Sequence, residues 1–215
     1  MTITKEDVAI FADYAVYVRS VYMHGRTLYE TAAEDDKALM ARAAPTFFGD
    51  LNKVLIEYVI LQVCKITDPA KDVRGNENHT TGFFVATADF AFDLEKGRRL
   101  AELHDSMQRL RKKLKPARDK VISHLDRNAA LSKAIIGAAA NDEWSQFWRD
   151  LDEFVAILYE RYVSDPPLHL LSVGGITDTE GLKRALSDGK HFNNLINGDD
   201  KYISRKCLEL ALGAQ

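Results

Sequence analysis

Arg118 and His124 are the two side chains whose types and spacing could cleave a phosphodiester without a metal. A histidine titrates near neutral pH, with an unperturbed pKa of about 6.5, so it can take or give a proton under ordinary conditions. An arginine stays charged and offers a planar, two-pronged hydrogen bond to phosphoryl oxygens. Together they suit attack of a ribose 2′-hydroxyl on the adjacent phosphate. His124 would move the proton and Arg118 would stabilise charge on the phosphoryl oxygens. On a straight helix their six-residue separation is roughly 240° of rotation and about 9 Å of rise. They converge only if the helix ends or bends near Ser123, or if two chains pool their residues.

The same stretch is densely basic: Arg109, Arg111, Lys112, Lys113, Lys115, Arg118 and Lys120, with Asp119 the one acid among them. Such a run is either a solvated helix face or a phosphate-binding surface. On the second reading Arg111, Lys112, Lys115 and Lys120 would hold an RNA backbone. Upstream, Asp68 in Thr67-Asp68-Pro69 also has two readings. It is a helix stop with a local turn bond, or a supporting carboxylate that pairs with Arg118 or a basic neighbour across a bundle.

The elements that must position these groups are helical. Val8, Phe11, Ala15, Val18 and Tyr22 line one face of a first helix. Thr4 and Asp7 form its cap signature, and Gly25 marks its end or an interruption. A short second helix fits residues 34–44, bounded by Pro45. Residues 47–67 are apolar almost all round, which predicts a central buried helix. Residues 70–81 read as a polar loop. A long helix over residues 90–114 carries the seam Leu100, Leu103, Met107, Leu110 and Leu114. Pro116 should kink or restart it, with two more turns to residue 125 and a break at residues 126–128. Trp144, Phe147, Trp148, Leu151, Phe154, Val155, Leu158 and Tyr162 form a further amphipathic stripe, ending near Ser164. Two short helices are expected in residues 168–215, separated by Asn197-Gly198-Asp199-Asp200. No strand alternation or internal repeat is evident.

Two segments in order carry a family resemblance. Lys115-Pro116-Ala117-Arg118-Asp119-Lys120-Val121-Ile122-Ser123-His124-Leu125-Asp126 resembles the HEPN signature of an arginine, a polar residue, a few more residues and a histidine. Leu61-Gln62-Val63-Cys64-Lys65-Ile66-Thr67-Asp68-Pro69-Ala70 is similar to the Gln-to-Thr-Asp-Pro-Ala segment of the AbiU-type, abortive-infection branch of HEPN proteins. A long helix separates the two segments in that branch, as here. The likeness covers roughly residues 45–130, more loosely to residue 163. It implies an all-α HEPN-like bundle of four to five core helices; the helical pattern places that bundle in residues 1–163 and makes residues 164–215, which carry no such likeness, a C-terminal helical extension packed on it. It implies a homodimer joined through the motif helices and, in many members, a metal-independent endoribonuclease of toxin or anti-phage type. Arg118 and His124 would be its catalytic pair and Asp119 the polar residue beside the arginine. Some members have lost activity and bind RNA or a partner protein instead. A cognate antitoxin protein is a further partner of that setting.

Composition bounds the rest. A net charge of −3, with 46% hydrophobic and 28% charged residues, fits a packed globule and excludes a protein coated in basic surface. The longest apolar run, Val54 to Cys64, carries Glu57 and Gln62 and is shorter than a membrane span of about 20 residues. The start of the chain lacks the basic-then-apolar order of a signal peptide. A cytoplasmic location and no membrane are therefore expected. Cys64 reads as a small buried hydrophobe, and neither it nor Cys207 has a CxxC neighbour. His24, His79, His104, His169 and His191 lack metal-ligand spacing, so no metal and no cofactor are expected. Trp144 and Trp148 read as core, and Gly174-Gly175 is no phosphate loop.

Overall fold

The computed structural model describes residues 2–122, 139–163 and 176–197. The described elements are helical: α1 (Lys5–Gly25), α2 (Glu34–Ala43), α3 (Pro45–Ile66), α4 (Thr81–Thr87), α5 (Leu94–Ala117), α6 (Asn141–Tyr162) and α7 (Ile176–Ile196). Wider π turns follow α1 at Arg26–Glu30 and α5 at Arg118–Ile122. Among the described residues there is no strand, and Lys71 and Glu77 make an isolated bridge. No described helix is long and apolar enough to cross a membrane.

The contacts divide the chain into two compact units, Met1–Met23 with Lys53–Gly174, and His24–Asn52 with Gly175–Gln215. The first is a helical bundle. Thr4 and Asp7 cap α1 reciprocally, the Asp7 N–H donating to the Thr4 hydroxyl at 3.1 Å and the Thr4 N–H to the Asp7 carboxylate at 2.8 Å. The predicted stripe of α1 is buried in full. So is the seam of α5, and Leu151, Phe154, Val155 and Leu158 of α6 meet them in one core. Phe11 sits 4.9 Å from Phe84 and 6.1 Å from Phe154, ring centre to ring centre. Trp148 is buried against Tyr22, and Trp144 stacks on the same ring. Both tryptophans are thus core, as read from the sequence.

Several boundaries differ from expectation. α3 begins at Pro45, which needs no N–H in the first turn of a helix. Its burial is uneven: Phe48, Val59, Ile60, Val63, Cys64 and Ile66 are buried, while Phe47, Val54 and Ile56 are exposed. The apolar character of α3 therefore overstates its burial. α5 begins four residues later than expected, because the Asp93 carboxylate caps the Lys96 N–H at 3.1 Å. The short α4, capped by Thr80, was not legible beforehand. α5 runs through Pro116 and then widens into the π turn rather than restarting.

In the second unit, Leu28, Met40 and Phe48 form a small core against which Leu186 of α7 packs. Lys183 reaches Asp36 at 2.9 Å, and His24 meets the buried Thr179 hydroxyl at 2.7 Å. α7 spans 21 residues, longer than the short helix expected, with its polar side studded by charges that the apolar pattern did not weigh. The second expected C-terminal helix and the break at residues 126–128 lie outside the described residues.

Candidate functional site

The end of α3 is shaped to deliver Asp68 to α5. The Thr67 hydroxyl turns back on the Val63 carbonyl at 2.7 Å, ending the helix. The Thr67 carbonyl accepts the Gln108 amide from α5 at 2.7 Å. Pro69 keeps Asp68 out of helical geometry. Gly82 of α4 lies so close that a Cβ there would stand 3.1 Å from the Asp68 carbonyl oxygen and 3.3 Å from the Ala70 nitrogen. Only glycine lets α4 press on this corner without moving backbone.

Arg111 and Arg118 lie seven residues apart on α5 and its π extension, close to two full turns, so both face the same side. One oxygen of Asp68, Oδ1, accepts from both: from Arg118 Nη1 at 3.1 Å and from Arg111 Nη2. Arg118 Nε also donates to Asp119 Oδ1 at 2.9 Å, and Lys115 donates to the other Asp119 oxygen. The arginine side chains are mostly enclosed, Arg111 14% and Arg118 24% exposed. Burial opposes the charge on Arg118, but the Asp68 and Asp119 carboxylates outweigh it and hold its proton more tightly than usual. The hydrogen bond from Lys115, then Arg118, pulls Asp119 below the usual carboxylate range. Beneath them, burial pushes the Cys64 thiol up to about 11, against the pull of Arg118 and Arg111.

Asp68 thus takes the long-range pairing rather than a purely local side-chain bond; its backbone N–H makes the turn bond, to Lys65 O at 3.2 Å. The basic stretch is more compensated than its sequence implies. Asp68 adds a second carboxylate, Lys113 pairs with Glu143 of α6 at 2.5 Å, and Arg109 donates to Ser106. Lys112 and Lys120 are exposed, with no ion pair among the described residues. The structure therefore brings together Arg118, Asp119, Lys115, Arg111 and Asp68, with Lys112 and Lys120 at the solvent side. His124 lies outside the described residues. The π turn at Arg118–Ile122 departs from straight α-helical geometry just before His124 in the sequence, and such turns recur at functional sites.

Residues 9–162 match the AbiU2 family of HEPN proteins. The chain belongs to that family. The match reaches further toward both ends than the two segments that first pointed to it, and it takes in the whole path from α1 to α6. No curated protein and no solved structure matches the chain. In this AbiU2-type chain, both the Asp68 corner and the Arg118 turn fall inside the matched region.

Beside the guanidinium pair is a cavity of about 340 Å³ that sequence reasoning missed. Its walls come from α1 (Phe11, Tyr14), the end of α3 (Lys65, Asp68) and the loop before α4 (Glu77, Asn78). No periodicity could have found it, because the contributing residues lie on three separate segments.

Proposed function

We propose that this chain is a metal-independent endoribonuclease of phage defence or toxin–antitoxin type, with its site completed at a homodimer interface. The observation that carries the reading is the Arg118 guanidinium, held by Asp68 and Asp119 on a π turn, in a helical stretch that also carries the exposed Lys112 and Lys120. A pre-set guanidinium needs little reorganisation to meet a phosphoryl oxygen as charge develops. The ribose 2′-oxygen forms a bond to phosphorus and the bond to the 5′-oxygen breaks, leaving a 2′,3′-cyclic phosphate and a 5′-hydroxyl. His124 takes the 2′-hydroxyl proton or supplies one to the departing 5′-oxygen. Across the dimer interface, Arg118 of one chain acts with His124 of the partner subunit on the same phosphate. Lys112 and Lys120, with Arg111 and Lys115 behind them, steady the strand.

The test is cleavage of mixed RNA by the purified chain with EDTA present. His124→Ala and Arg118→Ala are each expected to lower cleavage at least about a hundredfold, the scale of a lost general acid–base or oxyanion group. Undiminished cleavage by folded His124→Ala removes the reading.

A second reading, a non-catalytic module that binds RNA or a partner such as an antitoxin, is favoured by one feature. Arg118 already has two carboxylate partners, so a phosphate must compete for it. RNA binding without cleavage across several substrates would decide for the module.

A further inference from the structure

We propose that the cavity between α1, the end of α3 and the loop before α4 binds a nucleobase, guanine, of the nucleotide flanking the scissile phosphate. The proposal rests on the ribonuclease reading for its substrate and deepens it to a base preference. At about 340 Å³ the cavity falls in the range of small-ligand sites, about 300–1,000 Å³.

Its position is the first argument. Asp68 belongs to both places: its Oδ1 takes Arg111 and Arg118, while the residue itself lines the cavity. Among the described residues Oδ2 has no donor. A phosphate at the two guanidiniums would therefore share Asp68 with whatever occupies the cavity.

The lining is the second argument. Tyr14 supplies aromatic wall, its hydroxyl turned to Gln62 and the Lys65 ammonium standing 4.9 Å over its ring, with the core ring of Phe11 behind it. The polar groups are two carboxylates, Asp68 and Glu77, with the Lys65 ammonium and the Asn78 amide. Among the described residues Glu77 has the longer 3.6 Å pairing with Lys71, and Asn78 a 3.4 Å bond to the Pro69 carbonyl, so both retain hydrogen-bonding capacity. Guanine carries two adjacent N–H donors, at N1 and N2, beside the O6 acceptor. That edge is complementary to carboxylate acceptors next to a cation or amide donor. Uracil and cytosine lack the paired donors beside an acceptor in this arrangement.

The third argument is rigidity. The loop is tied by the Asp72 carboxylate, which accepts from the backbone N–H groups of Arg74 and Asn76 at 2.8 and 2.9 Å. Gly75 turns it at φ 86°, and the Asn78 N–H returns to the Ala70 carbonyl at 2.9 Å. His79 is anchored to Asp7 at 2.8 Å.

The test is calorimetric titration of the full chain with guanosine 3′-monophosphate, uridine 3′-monophosphate and inorganic phosphate. The guanosine nucleotide is expected to bind at least about tenfold more tightly than the other two, and Glu77→Gln and Asn78→Ala each to remove about tenfold of that affinity, the worth of one charge-assisted bond. Both variants alter a solvent-facing loop, and unchanged circular dichroism and melting certify their fold. Equal affinity for the three probes, or nucleotide affinity unmoved by both variants, overturns the proposal. The readout needs no cleavage. A chain that binds the guanosine nucleotide here but cuts no RNA sinks the nuclease reading and keeps the pocket. A chain whose His124-dependent cleavage shows a base preference unmoved by Glu77→Gln and Asn78→Ala sinks the pocket alone.

Discussion

Asp68 Oδ1 is shared by two guanidiniums, and this sharing sets what substitution there does. Asp68→Asn keeps an acceptor but removes the charge, leaving the largely enclosed Arg111 without a carboxylate among the described residues and Arg118 with Asp119 alone. Breaking a partly buried charged pair costs about 1–3 kcal/mol. Asp68→Asn is therefore expected to lower the thermal midpoint by several degrees, whereas Asp68→Glu recovers part of the loss. An unaltered melting curve for Asp68→Asn would show that the arginines find other partners. Cys64, just beneath, gives a pH-dependent prediction. Its thiol titrates at about 11 in the folded chain against an ordinary 9.0. The unfolded chain therefore loses this proton first as pH rises. The stability contributed by the neutral thiol is complete below about pH 9 and is lost between about 9 and 11, on the order of 2 kcal/mol in all. Denaturant titrations at pH 8 and 10.5 should show wild type losing more stability than Cys64→Ala. Parallel losses would contradict the assignment.

At the level of elements, α4 and α5 are joined by a second titratable contact. His104 of α5 meets the Thr81 hydroxyl at 2.8 Å. Burial, helped by Arg111, lowers its pKa from the usual 6.5, with Asp105 opposing. A depressed histidine stabilises the fold above about pH 6.5 and loses that contribution as pH falls through the folded value. Amide protection factors in α4, corrected for the intrinsic pH dependence of exchange, should accordingly fall between pH 7 and 5 in wild type and much less so in His104→Gln. Equal acid sensitivity in both would assign the effect elsewhere. What was legible beforehand follows from range. The α1 stripe, the α5 seam and the Thr4–Asp7 cap are set within a few residues of one another, and all three hold. The pairing of Asp68 with Arg111 and Arg118 spans 43 and 50 residues, so sequence could name a carboxylate and a basic helix but not which would meet. α3 misled because some of its apolar side chains, Phe47, Val54 and Ile56, face outward. The π turn after Pro116 had a local cause in the missing N–H, yet a kink, a restart and a widened turn are all consistent with one proline.

For the whole molecule, the net charge of −3 leaves RNA attraction to a local patch, and that patch is largely self-compensated. On the ribonuclease reading, a single copy brings one Arg118 and one His124, which is the physical motive for pooling two copies. The pooling can be read without a structure of the dimer. If each site draws Arg118 from one chain and His124 from the other, a chain carrying Arg118→Ala and one carrying His124→Ala complement each other. In a random mixture half of the dimers are mixed, and each mixed dimer holds one intact composite site and one doubly damaged site, so about a quarter of all sites recover. Cleavage by the refolded mixture should then approach about a quarter of the wild-type rate, although each variant alone is inactive. If instead Arg118 and His124 of one chain serve the same phosphate, no mixed dimer contains an intact pair and the mixture stays as inactive as its components. Equal inactivity of mixture and components, alongside an active wild type, would move the site inside one chain and remove the dimer from the mechanism.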